Sequence, residues 1–218
     1  KLASKQHTYY LELEPQRGLI FDRQMRPLAI NVPTFSLYAV PPRIKDAGSV
    51  AQKLSTFLEI DRQSLFEKMT RKKQFVWLVR KLDMKKMEEI RSWDIDGLYF
   101  IKEARRSYPN GSLASQLIGF AGLDNVGLDG LEMRYDSFLK GTPGWTFVLR
   151  DAKRRDLTLN DVLQPPVDGY SLVLTIDQVI QYVAERELDT IYKKYNAKGA
   201  SIVVIDIKTG EILAMANR

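Results

Sequence analysis

Two short patterns in the chain are typical of enzymes that transfer an acyl group through a serine. Ser137 and Lys140 have the Ser-x-x-Lys spacing, in which the lysine helps to activate the serine hydroxyl as a nucleophile. The triplet Lys208-Thr209-Gly210 occurs in the same enzymes, but the third element of that set, Ser-x-Asn, is absent from the sequence. Patterns with so few fixed positions arise by accident in most chains of this length. We therefore predict no catalytic residue within the chain.

A second group of residues could form a charge-assisted network. Arginine presents a planar fork of donors, and carboxylates can accept such donors in pairs. The candidate donors and acceptors are Arg17, Arg23 and Arg106 with Asp22, Glu132 and Asp136. The alternative is six independent surface charges, each of which would contribute little to stability.

Composition excludes several kinds of site. The chain has 218 residues, of which 44% are hydrophobic and 28% charged, as is ordinary for a folded domain. It contains no cysteine, so disulfides and thiolate metal sites are excluded, although the redox compartment stays open. The single histidine, His7, lies in a polar stretch and is predicted to be a solvated surface residue. No zinc or other metal site is expected.

The charge distribution raises a nucleic-acid alternative. The net charge is +6 and the pI about 9.4, with short basic clusters such as Arg71-Lys72-Lys73 and Lys153-Arg154-Arg155. No recognised nucleic-acid motif is present, and the aromatic residues are not interleaved with these clusters as a stacking platform requires. We expect solvated faces and no nucleic-acid partner. No apolar run approaches the roughly 18 residues that span a bilayer, so any membrane anchor is expected upstream of Lys1.

The elements before residue 104 predict an extended segment followed by a small subdomain. Residues 17–29 read as extended with a turn at 24–26, and Phe35, Leu37 and Ala39 alternate as in a half-buried strand that Pro41-Pro42 ends. Helical spacing follows Asp46, Asp61 and Asp83, with short strands at 75–79 and 98–101 between and after these helices. This alternation predicts an inserted α/β subdomain at about 46–103.

The elements after residue 104 predict a turn, a helix and the start of another domain. Pro109-Asn110-Gly111 is a turn signal, and a helix is expected from Gly130 to Gly141, with Leu131, Tyr135, Phe138 and Leu139 on one side. A linker is predicted at 163–169. Beyond it we expect a strand at 170–175, a helix at 177–195 and a hairpin of 200–207 with 211–216. A capping box of Thr175 and Gln178 is expected at the start of the helix. Its inward stripe is predicted to be Ile180, Val183, Ala184, Leu188 and Ile191.

Five segments, in the same order along the chain, resemble the class B penicillin-binding proteins, the transpeptidases that cross-link peptidoglycan. They are Arg17-Gly18-Leu19-Ile20-Phe21-Asp22-Arg23, then Arg106-Ser107-Tyr108-Pro109-Asn110-Gly111, then Gly127-Leu128-Asp129-Gly130-Leu131-Glu132 with Asp136, then Tyr170 to Leu188, and last Gly199 to Asn217. The resemblance is weakest between residues 46 and 103. In the first segment the family usually continues with Asn-Gly, where this chain has Gln24-Met25, and methionine tolerates positive φ less well than glycine.

The resemblance implies an α+β fold in two parts. Residues 1–164 would form an elongated non-catalytic pedestal, and residues 165–218 would form the truncated strand-helix-hairpin beginning of a transpeptidase domain. The catalytic serine would lie after Arg218, so Ser137 and Lys208-Thr209-Gly210 are not its motifs. The resemblance also places the arginine–carboxylate set together, which favours the network over independent charges. The expected structural residues are Arg17, Gly18, Asp22, Arg23, Arg106, Tyr108, Gly111, Gly127, Gly130, Glu132 and Asp136.

The resemblance further implies what the longer protein does. It would acylate a serine with the D-alanyl-D-alanine donor, be trapped there by β-lactams, and use no metal or organic cofactor. It would be a single-pass inner-membrane protein facing the periplasm, with a membrane glycan polymerase and division proteins as partners. The segments Glu14-Pro15-Gln16-Arg17 and Val32-Pro33-Thr34 are closer to the division branch than to the elongation branch. The main rival is a scaffold module that binds partners and has no active catalytic domain.

Overall fold

The computed structural model describes residues 8–150, 156–157 and 162–218. His7 and the cluster Lys153-Arg154-Arg155 lie outside the described residues. The chain divides into two compact units, one made of residues 1–31 and 106–218 and the other of Val32–Arg105. The predicted subdomain at 46–103 falls within the second of these units. The domain boundary at residues 164/165 stays a prediction, because residues on both sides of it belong to the first unit.

The second unit combines three strands with three helices. Strand β3 (Pro27–Ala39) pairs antiparallel with β4 (Val76–Leu82) and also pairs with β5 (Leu98–Ser107). A 3-10 turn at Pro41–Arg43 follows β3, and the helices are α1 (Ala47–Leu58), α2 (Arg62–Met69) and α3 (Met84–Ser92). The helices and β4 agree with the prediction to within a few residues. Strand β3 begins eight residues before the predicted strand at Phe35, and β5 continues six residues beyond its predicted end.

Each helix of this unit begins at an aspartate. The carboxylates of Asp46, Asp61 and Asp83 accept hydrogen bonds from the backbone N–H groups three residues further on. Such caps satisfy N–H groups that have no partner within the helix, and each contributes about 1 kcal/mol. The apolar faces then pack on the sheet in one core, whose fully buried members are Leu37, Ala39, Ala51, Leu54 and Leu65.

At Ser36 of β3 the pattern of buried residues departs from the predicted alternation. Ser36 is fully buried, whereas Phe35 is only partly so. The Ser36 hydroxyl donates to Glu103 Oε2 at 2.5 Å and accepts the Lys81 N–H at 3.1 Å. Arg80 and Lys81 form ion pairs with Glu103, at 2.8 and 3.2 Å, so the second unit holds a satisfied buried carboxylate.

The first unit contains two small sheets and a helix–hairpin assembly. Its strands are β1 (Thr8–Leu13), β6 (Gly144–Arg150), β7 (Asp156–Leu157) and β8 (Val162–Gln164) in one sheet, and β2 (Ile20–Phe21), the start of β3, and β9 (Leu172–Val173) in the other. Strand β2 pairs antiparallel with β3 and parallel with β9. Helix α7 (Gln178–Lys194) packs on the hairpin of β10 (Ser201–Ile205) and β11 (Ile212–Asn217). The class is mixed α and β, as predicted.

Three local predictions in the first unit are wrong. The helix expected from Gly130 to Gly141 is two short helices, α5 (Gly130–Arg134) and α6 (Asp136–Leu139), which follow α4 (Ser115–Ile118). Leu139 is buried, but Tyr135 and Phe138 are exposed. The buried side chain of α5 is the carboxylate of Glu132.

The other two errors concern helix α7. Its cap is Asp177, whose carboxylate accepts the N–H groups of Val179 and Ile180, while the Thr175 hydroxyl donates to the carbonyl of Ile212. The capping box is therefore not formed. Ala184 and Leu188 are buried as predicted and Ile180 is half-buried, but Val183 and Ile191 are exposed, and the third buried residue is Gln181. Gln181 is buried because it donates to and accepts from the backbone of Met215.

The predicted linker is tied to the rest of the first unit. Thr142 and Val167 exchange two backbone hydrogen bonds of 2.8 and 2.9 Å, and the N–H of Gly169 donates to the carbonyl of Gln16. The proline pair Pro165-Pro166 lies between the end of β8 and Val167. None of the helices in the described ranges has the length and apolar character needed to cross a membrane.

Candidate functional site

Four charged residues from distant parts of the sequence meet inside the first unit. Arg17 lies three residues before the start of β2, and Arg106 lies near the end of β5. Glu132 is in α5 and Asp136 begins α6. We call these four residues the junction. Arg17, Arg106 and Glu132 are 3%, 8% and 0% exposed, so three of the four are withdrawn from water.

Arg17 uses its whole guanidinium in the junction. Its Nε donates to Glu132 Oε2 at 2.8 Å, and its Nη1 donates to Asp136 Oδ1 at 2.7 Å. The remaining donors reach two backbone carbonyls, that of Glu132 at 2.9 Å and that of Asn125 at 2.8 Å. The side chain therefore fixes α5, α6 and the loop before them relative to the start of β2.

Arg106 binds the other oxygen of the same carboxylate. Its Nε donates to Glu132 Oε1 at 2.6 Å and its Nη1 to Asn31 Oδ1 at 3.0 Å. The Tyr108 hydroxyl donates to the same Oε1 at 3.3 Å and accepts the N–H of Ala121. Burial, and next the negative charge of Glu132, raise the pKa of Tyr108, so it remains a neutral donor.

The backbone approaches the junction closely at Gly127. A Cβ at this position would lie 2.0 Å from the carbonyl oxygen of Glu132, the same oxygen that Arg17 binds. Only glycine permits that approach. The Gly127 N–H also donates to Asp136 Oδ1 at 2.8 Å. The segment from Gly127 to Asp136 therefore supplies both carboxylates of the junction and the glycine that allows the close backbone contact.

The other glycines of the motifs close turns or contacts around the junction. The N–H of Gly18 donates to the carbonyl of Leu139 at 2.8 Å, and the N–H of Gly111 closes the turn onto Tyr108 at 3.0 Å. Gly130 begins α5 at a φ of 56°. Arg106 and Tyr108 thus lie where strand β5 leads into a tight turn.

Asp22 and Arg23, the remaining two candidates for the network, lie outside the junction. Asp22 is fully buried, and its Oδ1 accepts the N–H groups of Gln24 and Arg26, both at 2.8 Å. Its Oδ2 accepts the N–H of Gln178, so Asp22 connects the turn after β2 to the first residue of α7. Arg23 forms a partly exposed ion pair with Glu211 at 3.4 Å.

Asn31 is a member of the site that sequence reasoning missed. Its amide accepts from Arg106 and donates to the carbonyl of Arg17 at 2.5 Å, so it bridges the two arginines. Asn31 lies in an extended stretch between apolar residues, and no turn or motif marks it. Only its position opposite two arginines in three dimensions identifies it.

The contacts of the junction hold its segments in fixed positions. Both oxygens of Glu132 accept hydrogen bonds from arginine. Ser137 and Lys140 are exposed on and after α6, and Lys208-Thr209-Gly210 forms the exposed turn between β10 and β11. Within the described ranges no cluster of His, Asp and Glu could hold a metal ion.

Comparison with known families accounts for this arrangement. The family described as "Penicillin-binding Protein dimerisation domain" matches residues 12–174, three quarters of the chain, and the match includes every residue of the junction. The chain belongs to this family. The resemblance to class B penicillin-binding proteins that the motifs carried is thereby confirmed.

Relatives of this chain include proteins named as peptidoglycan D,D-transpeptidases. It is 38% identical over 212 residues to the probable peptidoglycan D,D-transpeptidase PenA of Neisseria meningitidis and 35% identical over 221 residues to stage V sporulation protein D of Bacillus subtilis. It is 32% identical over 214 residues to the peptidoglycan D,D-transpeptidase FtsI of Escherichia coli. These matches cover 94–100% of the chain but only 34–36% of the relatives, so the chain spans about a third of their length.

Solved structures share the fold. Penicillin-binding protein PBP2 of Helicobacter pylori, in a complex with MreC, matches with a TM-score of 0.73 at 24% identity, over 96% of this chain and 43% of that one. Penicillin-binding protein 2X of Streptococcus thermophilus matches with a TM-score of 0.67, also at 24% identity, over 96% of this chain and 35% of that one. At this identity the likeness concerns the fold alone.

Proposed function

We propose that this penicillin-binding-protein region is the non-catalytic part of a peptidoglycan D,D-transpeptidase that acts in septal cell-wall synthesis. The region positions the catalytic domain and contacts partner proteins. The longer protein is anchored in the inner membrane by a single span and places this region in the periplasm. Its catalytic serine follows Arg218, and its reaction passes an acyl group from a D-alanyl-D-alanine donor to an acceptor amine.

The observation that carries this proposal is the complete satisfaction of Glu132. Glu132 is buried, one of its oxygens accepts from Arg17, and the other accepts from Arg106 and Tyr108, so the carboxylate is engaged in structural contacts on both oxygens. The same contacts tie the motif segments, which begin at residues 17, 106 and 127, into one rigid centre. A rigid centre of this kind, with Asp22 binding the first residue of α7, is what a domain needs if it is to hold a following catalytic domain in a fixed orientation.

Two further findings support the cellular setting. Relatives named as peptidoglycan D,D-transpeptidases align over nearly the whole chain. The H. pylori PBP2 of the same fold forms a complex with MreC, which supports a partner from the cell-wall machinery for this chain as well. Relatives named for division and for sporulation both occur, so septal rather than elongation synthesis rests on the motif segments alone.

The test is covalent labelling by a fluorescent penicillin. The 218-residue chain is expected to remain unlabelled, whereas a version extended through the catalytic domain is labelled. Ser137→Ala in the extended protein should leave the labelling rate unchanged. Labelling of the 218-residue chain that Ser137→Ala abolishes would overturn the assignment. Absence of labelling in a folded extended protein would favour a scaffold that binds partners without cross-linking.

The positioning role has its own measurement. Glu132→Gln in the extended protein is expected to slow acylation by the penicillin, while Glu187→Gln, at an exposed ion pair of α7, is not. A fusion of the extended protein to a fluorescent protein should gather at the division site. Uniform lateral localisation would contradict the septal assignment and support the elongation branch.

A further inference from the structure

A cleft in the second unit lies between helix α3 and strand β5. Its volume is about 440 Å³, and its lining mixes polar side chains with apolar ones. The apolar residues include Met87 and Ile90 of α3 and Leu98 and Phe100 of β5, and Phe35 of β3 also lines the cleft. The lining residues all fall within Val32–Arg105, so the cleft belongs to this unit alone. It is large enough to accept several side chains of a bound peptide.

Strand β5 is at the edge of its sheet. Within the described residues it pairs with β3 and with no second strand. An edge strand presents a row of backbone N–H and C=O groups to which an extended peptide can add as a further strand. A cleft with apolar side chains in its lining supplies the second requirement, because alternate side chains of an added strand point to the same face.

The charge around the cleft indicates the chemistry of the occupant. Arg91 and Lys102 line it and are exposed, and within the described part of the chain neither forms an ion pair. Asp94 is the only acidic residue of the lining. Residues 32–105 contain 15 Lys and Arg against 10 Asp and Glu, so this unit carries +5 of the net charge of +6. Two copies of such a basic edge repel each other, whereas an acidic segment is attracted.

We propose that the cleft between α3 and β5 binds an extended, acidic segment of a protein partner, which adds as a strand to β5. Apolar residues at alternate positions of that segment enter the cleft, and acidic residues between or beside them face Arg91 and Lys102. This proposal concerns the partner-binding part of the proposed function and depends on that part alone. Penicillin labelling tests the transpeptidase part separately, so either can fail without the other.

The experiment is a selection of random decapeptides displayed on phage against the full 218-residue chain. The matched reference is the charge-reversed variant Arg91→Glu/Lys102→Glu, and both residues are exposed, so folding is expected to persist and is checked by circular dichroism. Enriched peptides should combine alternate apolar residues with Asp or Glu. A synthetic copy should bind the charge-reversed variant at least tenfold more weakly by fluorescence anisotropy. Lys85→Glu/Lys86→Glu, the same charge change elsewhere on α3, should leave binding unchanged.

The mode of binding is tested by hydrogen exchange. The bound peptide should slow exchange of amides in Leu98–Ser107, and methylating alternate backbone nitrogens of the peptide should abolish binding. The proposal is overturned if no peptide is enriched on the wild-type chain over the charge-reversed variant. It is equally overturned if the enriched peptides protect a different surface, or if sedimentation shows that β5 pairs with a second copy of the chain.

Discussion

Glu132→Gln is the most informative single substitution in this chain. The carboxylate is 0% exposed and is the common acceptor of two arginines. The substitution keeps the shape of the side chain but removes its charge and replaces one acceptor oxygen by an NH2 group. One arginine can still donate to the remaining oxygen, while the other faces a donor.

The expected loss of stability depends on the hydrogen-bond partners that each arginine keeps. Arg17 retains Asp136 and two backbone carbonyls, whereas the one partner that Arg106 retains among the described residues is Asn31. Removing one partner of a buried ion pair typically costs 3–5 kcal/mol, and the partial compensation at Arg17 places this case at about 3 kcal/mol. For a domain of this size that corresponds to a lower melting temperature by roughly 6–12 °C.

The measurement is urea unfolding followed by circular dichroism, with hydrogen exchange to confirm that the loss falls on residues of the first unit. Glu187→Gln is the matched control, because it removes the same charge at an exposed pair and is expected to change stability by less than about 0.5 kcal/mol. Adding Arg106→Met to Glu132→Gln removes the orphaned cation and should recover about 1–2 kcal/mol. A loss below about 1 kcal/mol for Glu132→Gln, or additive effects in the double variant, would refute the reasoning.

Three other substitutions have defined expectations. Met25 is exposed and has a φ of 62°, a backbone conformation that strains a side chain, so Met25→Gly should raise the unfolding free energy by about 0.5–1 kcal/mol, whereas Met25→Ala should give no gain by urea unfolding. Gly127→Ala places a Cβ against a carbonyl oxygen and should lower stability by more than about 2 kcal/mol; an unchanged melting temperature would contradict the close approach. Burial raises the pKa of Glu103, but hydrogen bonds from Ser36 and Arg80 and the charge of Lys81 outweigh it and hold that pKa below its ordinary value. The stability contributed by Glu103 is therefore present above its unfolded-state pKa and lost as the pH falls through the folded-state pKa, so Glu103→Gln should flatten the acid unfolding of residues 32–105 below about pH 4; an unchanged acid transition in hydrogen exchange would exclude this role.

Local sequence determined most elements of the second unit. Asp46, Asp61 and Asp83 each precede a helical apolar stripe, and capping acts within three residues, so the starts of α1, α2 and α3 are predictable without tertiary information. The turn at Pro109-Asn110-Gly111 and the hairpin of β10 with β11 belong to the same category. The family resemblance likewise came from short segments whose order in the chain is a property of sequence alone.

Tertiary structure decided which polar residues are interior. Glu132, Gln181 and Ser36 occupy positions that periodicity would give to apolar residues or to solvent, and each is buried because partners distant in sequence satisfy it. For the same reason four of the six network candidates meet at the junction, while Asp22 caps a turn and Arg23 reaches the hairpin. Sequence determined the residue types that could form buried ion pairs. Only the fold, by bringing residues 17, 106, 132 and 136 within hydrogen-bonding distance, decided which pairs form and excluded water from them.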